Sequence, residues 1–260
     1  MKTQTLAIVV GVSFLAARAG AQSVLFDFEN APRQTSLPIS LTVGGITTQF
    51  YSAGLGGFSV QWANTYGFTP PGFSGLCLFP NGIDAADLHA GFSTTLTDFA
   101  ILYSPQELGC DASATMRVTA YLDDVFVGTA TTNASAPGTW PSEWLRFNSG
   151  RFNSVVVHYD KAPACGDYGM IFMADNMTVT PAPPPIVLTG MTKLPDGAFQ
   201  FGFTNLPGLS FTVLSTTNLS VLFRDWMPLG GVTELAGGQY QFTDPQATNG
   251  AGRFYRVQQP

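Results

Sequence analysis

The stretch that most constrains this chain is Pro181-Ala182-Pro183-Pro184-Pro185. Proline donates no backbone hydrogen bond, so neither a helix interior nor a sheet ladder passes through such a run. It reads as an extended, semi-rigid spacer over residues 181–185. Just before it, Met170 to Thr180 is an apolar strand that meets Asp175-Asn176, alternates again and stops. The chain is thereby cut into a longer and a shorter piece, and each must build its own core.

Neither piece carries a sustained 3.6-residue apolar period, whereas short period-two runs recur. In residues 22–180, Val24, Phe26 and Phe28 share one face of the opening strand. Ile39–Val43 and Ile46–Ser52 flank Gly44-Gly45, a two-residue hairpin signal. Strands are also expected at 58–62, 94–103, 145–147 and 155–159, and a hairpin at 114–132 turning on Asp123-Asp124. Residues 63–93 read as a long irregular loop rich in aromatics. The pattern predicts an all-β protein whose first domain is a jelly-roll-like β-sandwich. In residues 186–260, strands at 186–194, 198–204, 211–217, 226–232, 240–243 and 254–258 predict a smaller immunoglobulin-like or fibronectin-type sandwich.

Residues 1–21 have the form of a signal peptide. Lys2 supplies the positive charge, Leu6 to Ala16 the apolar run, and Ala19-Gly20-Ala21 the small-residue cleavage site. That run is too short to span a bilayer, and no later segment is longer. A secreted, extracellular or periplasmic protein is expected. Residues 22–185 hold 13 acidic and 5 basic side chains, and residues 186–260 hold 4 of each. Without a basic surface, nucleic acid and anionic membranes are poor partners. An oxidising compartment allows a disulfide. Cys110 and Cys165 lie in polar, turn-like contexts and are the favoured pair, with Cys77 left over.

Two resemblances follow from particular residues. The opening Phe26-Asp27-Phe28-Glu29 and the closing Asp175-Asn176-Met177-Thr178-Val179 resemble the ends of secreted bacterial β-sandwich domains of the exosortase-associated type. They are also similar to the ends of jelly-roll carbohydrate-binding modules. The sorting tail of the exosortase-associated group is missing. Phe203-Thr204-Asn205-Leu206-Pro207-Gly208, Trp226 and Arg253-Phe254-Tyr255-Arg256-Val257 resemble the small C-terminal β modules of bacterial surface proteins. The first resemblance implies a structural Ca²⁺ held by Asp27, Glu29 and Asp175, with main-chain oxygens completing the shell.

Among the aromatics, Trp62, Tyr66, Trp140 and Trp144 are the candidates for stacking on a sugar ring. Most of these, together with Phe73 and Tyr168, read equally as core or loop anchors, and Trp140 and Trp144, flanking a Pro-Ser-Glu turn, read as a partly exposed pair. His158, in a strand, and His89, assigned to the 63–93 loop, read as structural and surface residues respectively. The chain lacks a nucleophile elbow, a zinc-protease motif and a phosphate loop. The leading expectation is a non-catalytic protein that binds a polysaccharide or cell-surface polymer, with a C-terminal attachment or spacer module. The alternatives are a glycoside hydrolase or lyase using two carboxylates of the first domain, and a structural cell-surface protein.

Overall fold

The computed structural model describes residues 22–105, 115–133, 141–161, 170–247 and 252–259. Two compact units emerge, one of Ala21–Ala182 and one that takes in Pro183–Pro260. Both are all-β. Among the described residues the one helical turn is a 3₁₀ turn at Phe223–Asp225.

The first unit contains β1 (Val24–Phe26), β2 (Ile39–Val43), β3 (Ile46–Gly54), β4 (Phe58–Trp62), β5 (Leu76–Pro80) and β6 (Ala86–Pro105). It continues with β7 (Thr115–Leu122), β8 (Val125–Asn133), β9 (Glu143–Phe147), β10 (Phe152–Lys161) and β11 (Phe172–Pro181). The long strand β6 shapes the sandwich. Its first half pairs with β3 and β10, and its second half with β11 and β9. Between the halves the buried positions change parity, from Ala86, Leu88, Ala90 and Phe92 to Phe99, Ile101 and Tyr103. The ladder with β10 shifts register at the same place. A strand that switches faces through an irregularity turns a sheet corner. One sheet therefore runs β2-β3-β6-β10-β7-β8 and the other β4-β5-β11-β6-β9, with β1 added beside β11.

The two sheets share one core. Phe26 and Phe28 pack edge-on against Phe50 from the other sheet, at 6.2 and 5.2 Å between ring centroids. Burying a side chain of this size stabilises the fold by about 1.5–3 kcal/mol. Residues 63–93 are not a single loop. They contain β5 and the first half of β6, so His89 lies in a strand rather than a loop.

The second unit has β12 (Thr189–Lys193), β13 (Phe199–Thr204), β14 (Thr212–Thr216), β15 (Met227–Gly231), β16 (Thr233–Ala236), β17 (Gln239–Asp244) and β18 (Phe254–Gln258). They form an antiparallel sheet β12-β13-β17-β16 and another, β15-β14-β18. Phe203, Phe211 and Tyr240 form the core between them.

Candidate functional site

The acids expected to hold a cation lie near one another but are not arranged around one. β1 pairs antiparallel with β11, with Phe26 opposite Met177, so Asp27 and Glu29 arrive beside Asp175. Asp175 is 1 % exposed. Its Oδ2 accepts the Ser74 N–H at 3.2 Å and its Oδ1 the Asn176 N–H at 2.7 Å. Asn176, with φ +50°, donates through Nδ2 to the Gly72 carbonyl at 3.1 Å. Glu29 Oε1 accepts the Leu76 N–H at 3.0 Å. The Glu29 carboxylate lies against Gly75, where φ is +54° and a Cβ would fall 1.6 Å from Oε1. Burial pushes the Asp175 carboxyl up to about 7, the Glu29 and Asp27 charges add to the shift, and the two N–H donors oppose it. Burial likewise raises the Cys77 thiol, helped by Asp175 and Glu29.

These acids anchor the 63–75 loop. Ala63, Phe68 and Phe73 from that loop pack on Cys77, Phe79, Leu102 and Met173, the outer face of the β4-β5-β11-β6-β9 sheet. Cys77 is a free, buried thiol. Cys110 and Cys165 lie outside the described residues. Among the described residues no group of three or more His, Cys, Asp or Glu side chains is arranged to hold a metal ion.

The aromatic candidates scatter over this face. Trp62 is partly exposed, with the Arg33 guanidinium 5.2 Å from its ring, and lines a recess of about 340 Å³ with Asn64, Thr69, Ser74 and Gly75. Tyr66 sets its ring edge-on to Phe79 at 4.6 Å. Trp144 stands opposite Leu102, packs on the covered cluster and carries Arg146 over its ring at 5.2 Å. Trp140 and Tyr168 lie outside the described residues.

The other sheet turns a different face outward, and the reading of the sequence missed it. Register puts Gln49, Gly91, Ser154, Tyr121 and Phe126 in one row across β3-β6-β10-β7-β8. The next row is Tyr51, His89, Val156, Thr119 and Thr129. The row after that brings together Asp87, His158 and Arg117. Tyr51, 46 % exposed, stacks on His89 at 4.5 Å. Phe126, 61 % exposed, meets Tyr121 edge-on at 6.3 Å. β3 and β7 are three strand spacings apart, roughly 14 Å. Beside these rows lies a trench of about 450 Å³ lined by Gln49, Gly91, Ser154, Asn153, Asp123 and Asp124, with none of the four rings in its wall. Asn153 Nδ2 donates to Asp123 Oδ1 at 2.7 Å.

Part of the charge on this face is paired, while Asp123 and Asp124 leave the trench acidic. His158 Nδ1 meets Asp87 Oδ1 at 2.5 Å, and Arg117 Nε donates to Asp160 Oδ1 at 2.9 Å. Burial holds the His89 imidazole below its ordinary value against the pull of Asp87. The signal for these residues was the alternation of 86–92 and 154–158. What it lacked was cross-strand register, which alone brings both histidines of the chain to one face.

No protein-family model matches the sequence. No curated protein matches it either. Solved structures resemble it in fold. One is the K1 cleaved adhesin domain of Lys-gingipain from Porphyromonas gingivalis, at 13 % identity and TM-score 0.34, covering 62 % of this chain and 99 % of that one. Another is the CBM22 tandem domain of Xyn10C from Paenibacillus barcinonensis, at 10 % identity and TM-score 0.31, covering 94 % and 92 %. A third is the β-1,2-glucanase of Parabacteroides distasonis, at 14 % identity and TM-score 0.29. The match covers 81 % of this chain but only 34 % of the glucanase. Likenesses at this level carry no functional argument.

Proposed function

We propose that the protein is a secreted, non-catalytic binder of a glycan or surface polymer, and that it binds on the outer face of the β2-β3-β6-β10-β7-β8 sheet. One observation carries this reading: two aromatic pairs, Tyr51/His89 and Tyr121/Phe126, each with one exposed ring, share a sheet face with a polar trench floored by Gly91 and Ser154. Flat rings stack on the apolar faces of sugar rings, while amide and hydroxyl groups bond to sugar hydroxyls. Because Arg117 is paired with Asp160 and the trench carries Asp123 and Asp124, a neutral polymer suits this face better than a polyanion. No helix among the described residues is long and apolar enough to cross a membrane.

The acid corner supports a second element of the reading, a structural Ca²⁺. Asp27, Glu29 and Asp175 offer hard oxygen donors with no neighbouring cation among the charges that shift Asp175. Oxygen donors of this kind fit calcium rather than zinc. Rotation of the exposed Glu29 and half-buried Asp27 side chains would be needed to close them on an ion. Bound there, calcium would supply positive charge to this acidic corner.

The test is affinity electrophoresis of the exported chain through gels containing xylan, a mixed-linkage β-glucan, laminarin or polygalacturonate, with released reducing sugar assayed in parallel. Retardation by a neutral polymer without product, lost in a Tyr51→Ala/Phe126→Ala double variant, is the expected result. Retardation that survives the double variant moves the site elsewhere. Release of sugar would establish the hydrolase or lyase alternative, and absence of retardation by any polymer would leave the structural surface role.

A further inference from the structure

The second unit has four edge strands, β12, β16, β15 and β18. Exposed strand edges invite pairing with other chains, and proteins blunt them with bulges, prolines and short strands. Three of the four edges here are blunted. The ladder of β12 shifts between Thr189 and Thr192, with Gly190 at φ +58°. That of β15 shifts at its pairing with Val213/Leu214 and includes Pro228. That of β16 shifts between Glu234 and Ala236. β18 alone keeps an unbroken register, Phe254 to Gln258 against Thr216 to Thr212. Among the described residues its outer edge has no partner strand.

The start of that regular edge, Phe254 and Tyr255, borders a groove of about 640 Å³. Its wall opposite β18 is β12. Its apolar surface comes from Leu188, Met191, Phe199 and Phe254, of which Met191 is 63 % exposed. Tyr255 stacks on Phe199 at 5.2 Å with an interplanar angle of 14°. The charged side chains that line the groove are Lys193 and Arg253, both cations. Arg253 is fixed in place: its Nη1 donates to Asp244 Oδ2 at 2.6 Å, and the Tyr255 hydroxyl donates to the same oxygen at 2.9 Å. Asp244 itself is buried, and its Oδ1 accepts the Gln246 N–H at 2.9 Å. The charges of Asp244 and Arg253 offset one another, which leaves Lys193 as the uncompensated charge of the groove. Lys193 takes part in no ion pair among the described residues.

From this combination we propose that the second unit captures an extended segment of a partner polypeptide by strand addition on β18. The main chain of the segment continues the β15-β14-β18 sheet. Its inward side chains are apolar, filling the space between Met191 and Phe199, and acidic, meeting Lys193. Main-chain pairing supplies affinity in such complexes and the side-chain pockets supply specificity. The polypeptide is favoured over a glycan here because a regular strand edge offers main-chain donors and acceptors at peptide spacing. The unit would then act as the attachment module of the protein, independently of any ligand on the first unit.

Three fluorescein-labelled decapeptides test this on the full exported chain by fluorescence anisotropy. The first alternates valine and threonine with two aspartates on the apolar face. The second replaces both aspartates by lysine, and the third places a proline at the centre. The aspartate peptide should bind in the micromolar range and the other two at least tenfold more weakly. A Lys193→Glu variant changes an exposed side chain, and its fold is checked by circular dichroism. It should weaken the aspartate peptide about tenfold and improve the lysine peptide. Equal binding of all three peptides, or no binding of the aspartate peptide at millimolar concentration, overturns the proposal. So does a dimer of the chain in sedimentation that Lys193→Glu dissolves, since a second copy would then occupy the edge.

Discussion

The first unit has two outer faces built from the same kind of strand, and the chain treats them oppositely. Over the β4-β5-β11-β6-β9 sheet, the outward residues Cys77, Phe79, Met173 and Leu102 are apolar, and the 63–75 loop covers them with Phe68 and Phe73. Over the β2-β3-β6-β10-β7-β8 sheet, the outward residues include Gln49, His89, Ser154, His158 and Thr119, and no loop among the described residues packs over them as the 63–75 loop does on the other side. A face that the chain closes with its own loop becomes a second core. A face left open, yet furnished with exposed rings and a trench, is furnished for something outside the chain. The comparison teaches that exposure of aromatics alone was a poor guide. Trp62, Tyr66 and Trp144 belong to the closed side, where they cap or border the loop.

The largest effect should come from uncovering the closed face. Phe73 is buried and ties the loop to Met173 and Leu102. Phe73→Ala should destabilise the first unit by about 3–5 kcal/mol in urea melts, the usual cost of emptying a buried phenylalanine site. Polymer binding at 25 °C, measured on the folded fraction, should be unchanged. A loss of binding with an intact fold would place the ligand on the wrong face.

The next effect is a pH dependence. The Asp175 carboxyl sits near 7 in the folded state, against about 3.9 in an unfolded chain. Between those values the folded state holds a proton that the unfolded state has lost. Stability therefore falls as pH rises from about 4 to about 7, by at most roughly 1.4 kcal/mol per unit, and levels off above. Urea melts from pH 4.5 to 7.5 on the native chain and on Asp175→Asn would show it as a slope that the variant lacks. Equal slopes would mean that Asp175 ionises freely despite its burial.

Calcium should oppose that trend with a somewhat smaller effect. A cation bound to the ionised Asp27, Glu29 and Asp175 stabilises the folded state, by about 2.7 kcal/mol at a hundredfold excess over its dissociation constant. Thermal melts at pH 7.5 with calcium or with a chelator should separate, and calcium should flatten the Asp175 slope. Coincident melts would leave the corner as a hydrogen-bonded loop anchor only.

Much of this contrast was legible in the sequence, but unevenly. Alternation put Phe26 and Phe28 on one face of the opening strand, which the structure buries, and Gly44-Gly45 and Asp123-Asp124 marked hairpins that the register confirms. The proximity of Asp27, Glu29 and Asp175 followed from the resemblance of the chain ends, and β1 does lie beside β11. β5 was lost because Leu76-Cys77-Leu78-Phe79 is buried on both faces and so shows no alternation. The first half of β6 was lost because Ala86, Ala90 and Gly91 have weak strand preference. The open face could not be read at all, since it depends on which strands are neighbours and in what register.

The smallest effect on stability is also the sharpest probe of the open face. Gly91 lies in the trench floor, its φ is not in the left-handed region, and a Cβ built there meets no atom within 4 Å. Glycine in a strand interior weakens it, so Gly91→Leu should change stability by less than about 1 kcal/mol and could raise it. The leucine side chain would nevertheless fill the floor between Gln49 and Ser154, where a bound sugar ring must lie. Retardation by the neutral polymer should disappear while the urea midpoint stays put. No change that merely loosened the fold would separate those two readouts in this direction. If Gly91→Leu binds as tightly as the native chain, the trench is not the site, and the open face loses its claim however its rings are disposed.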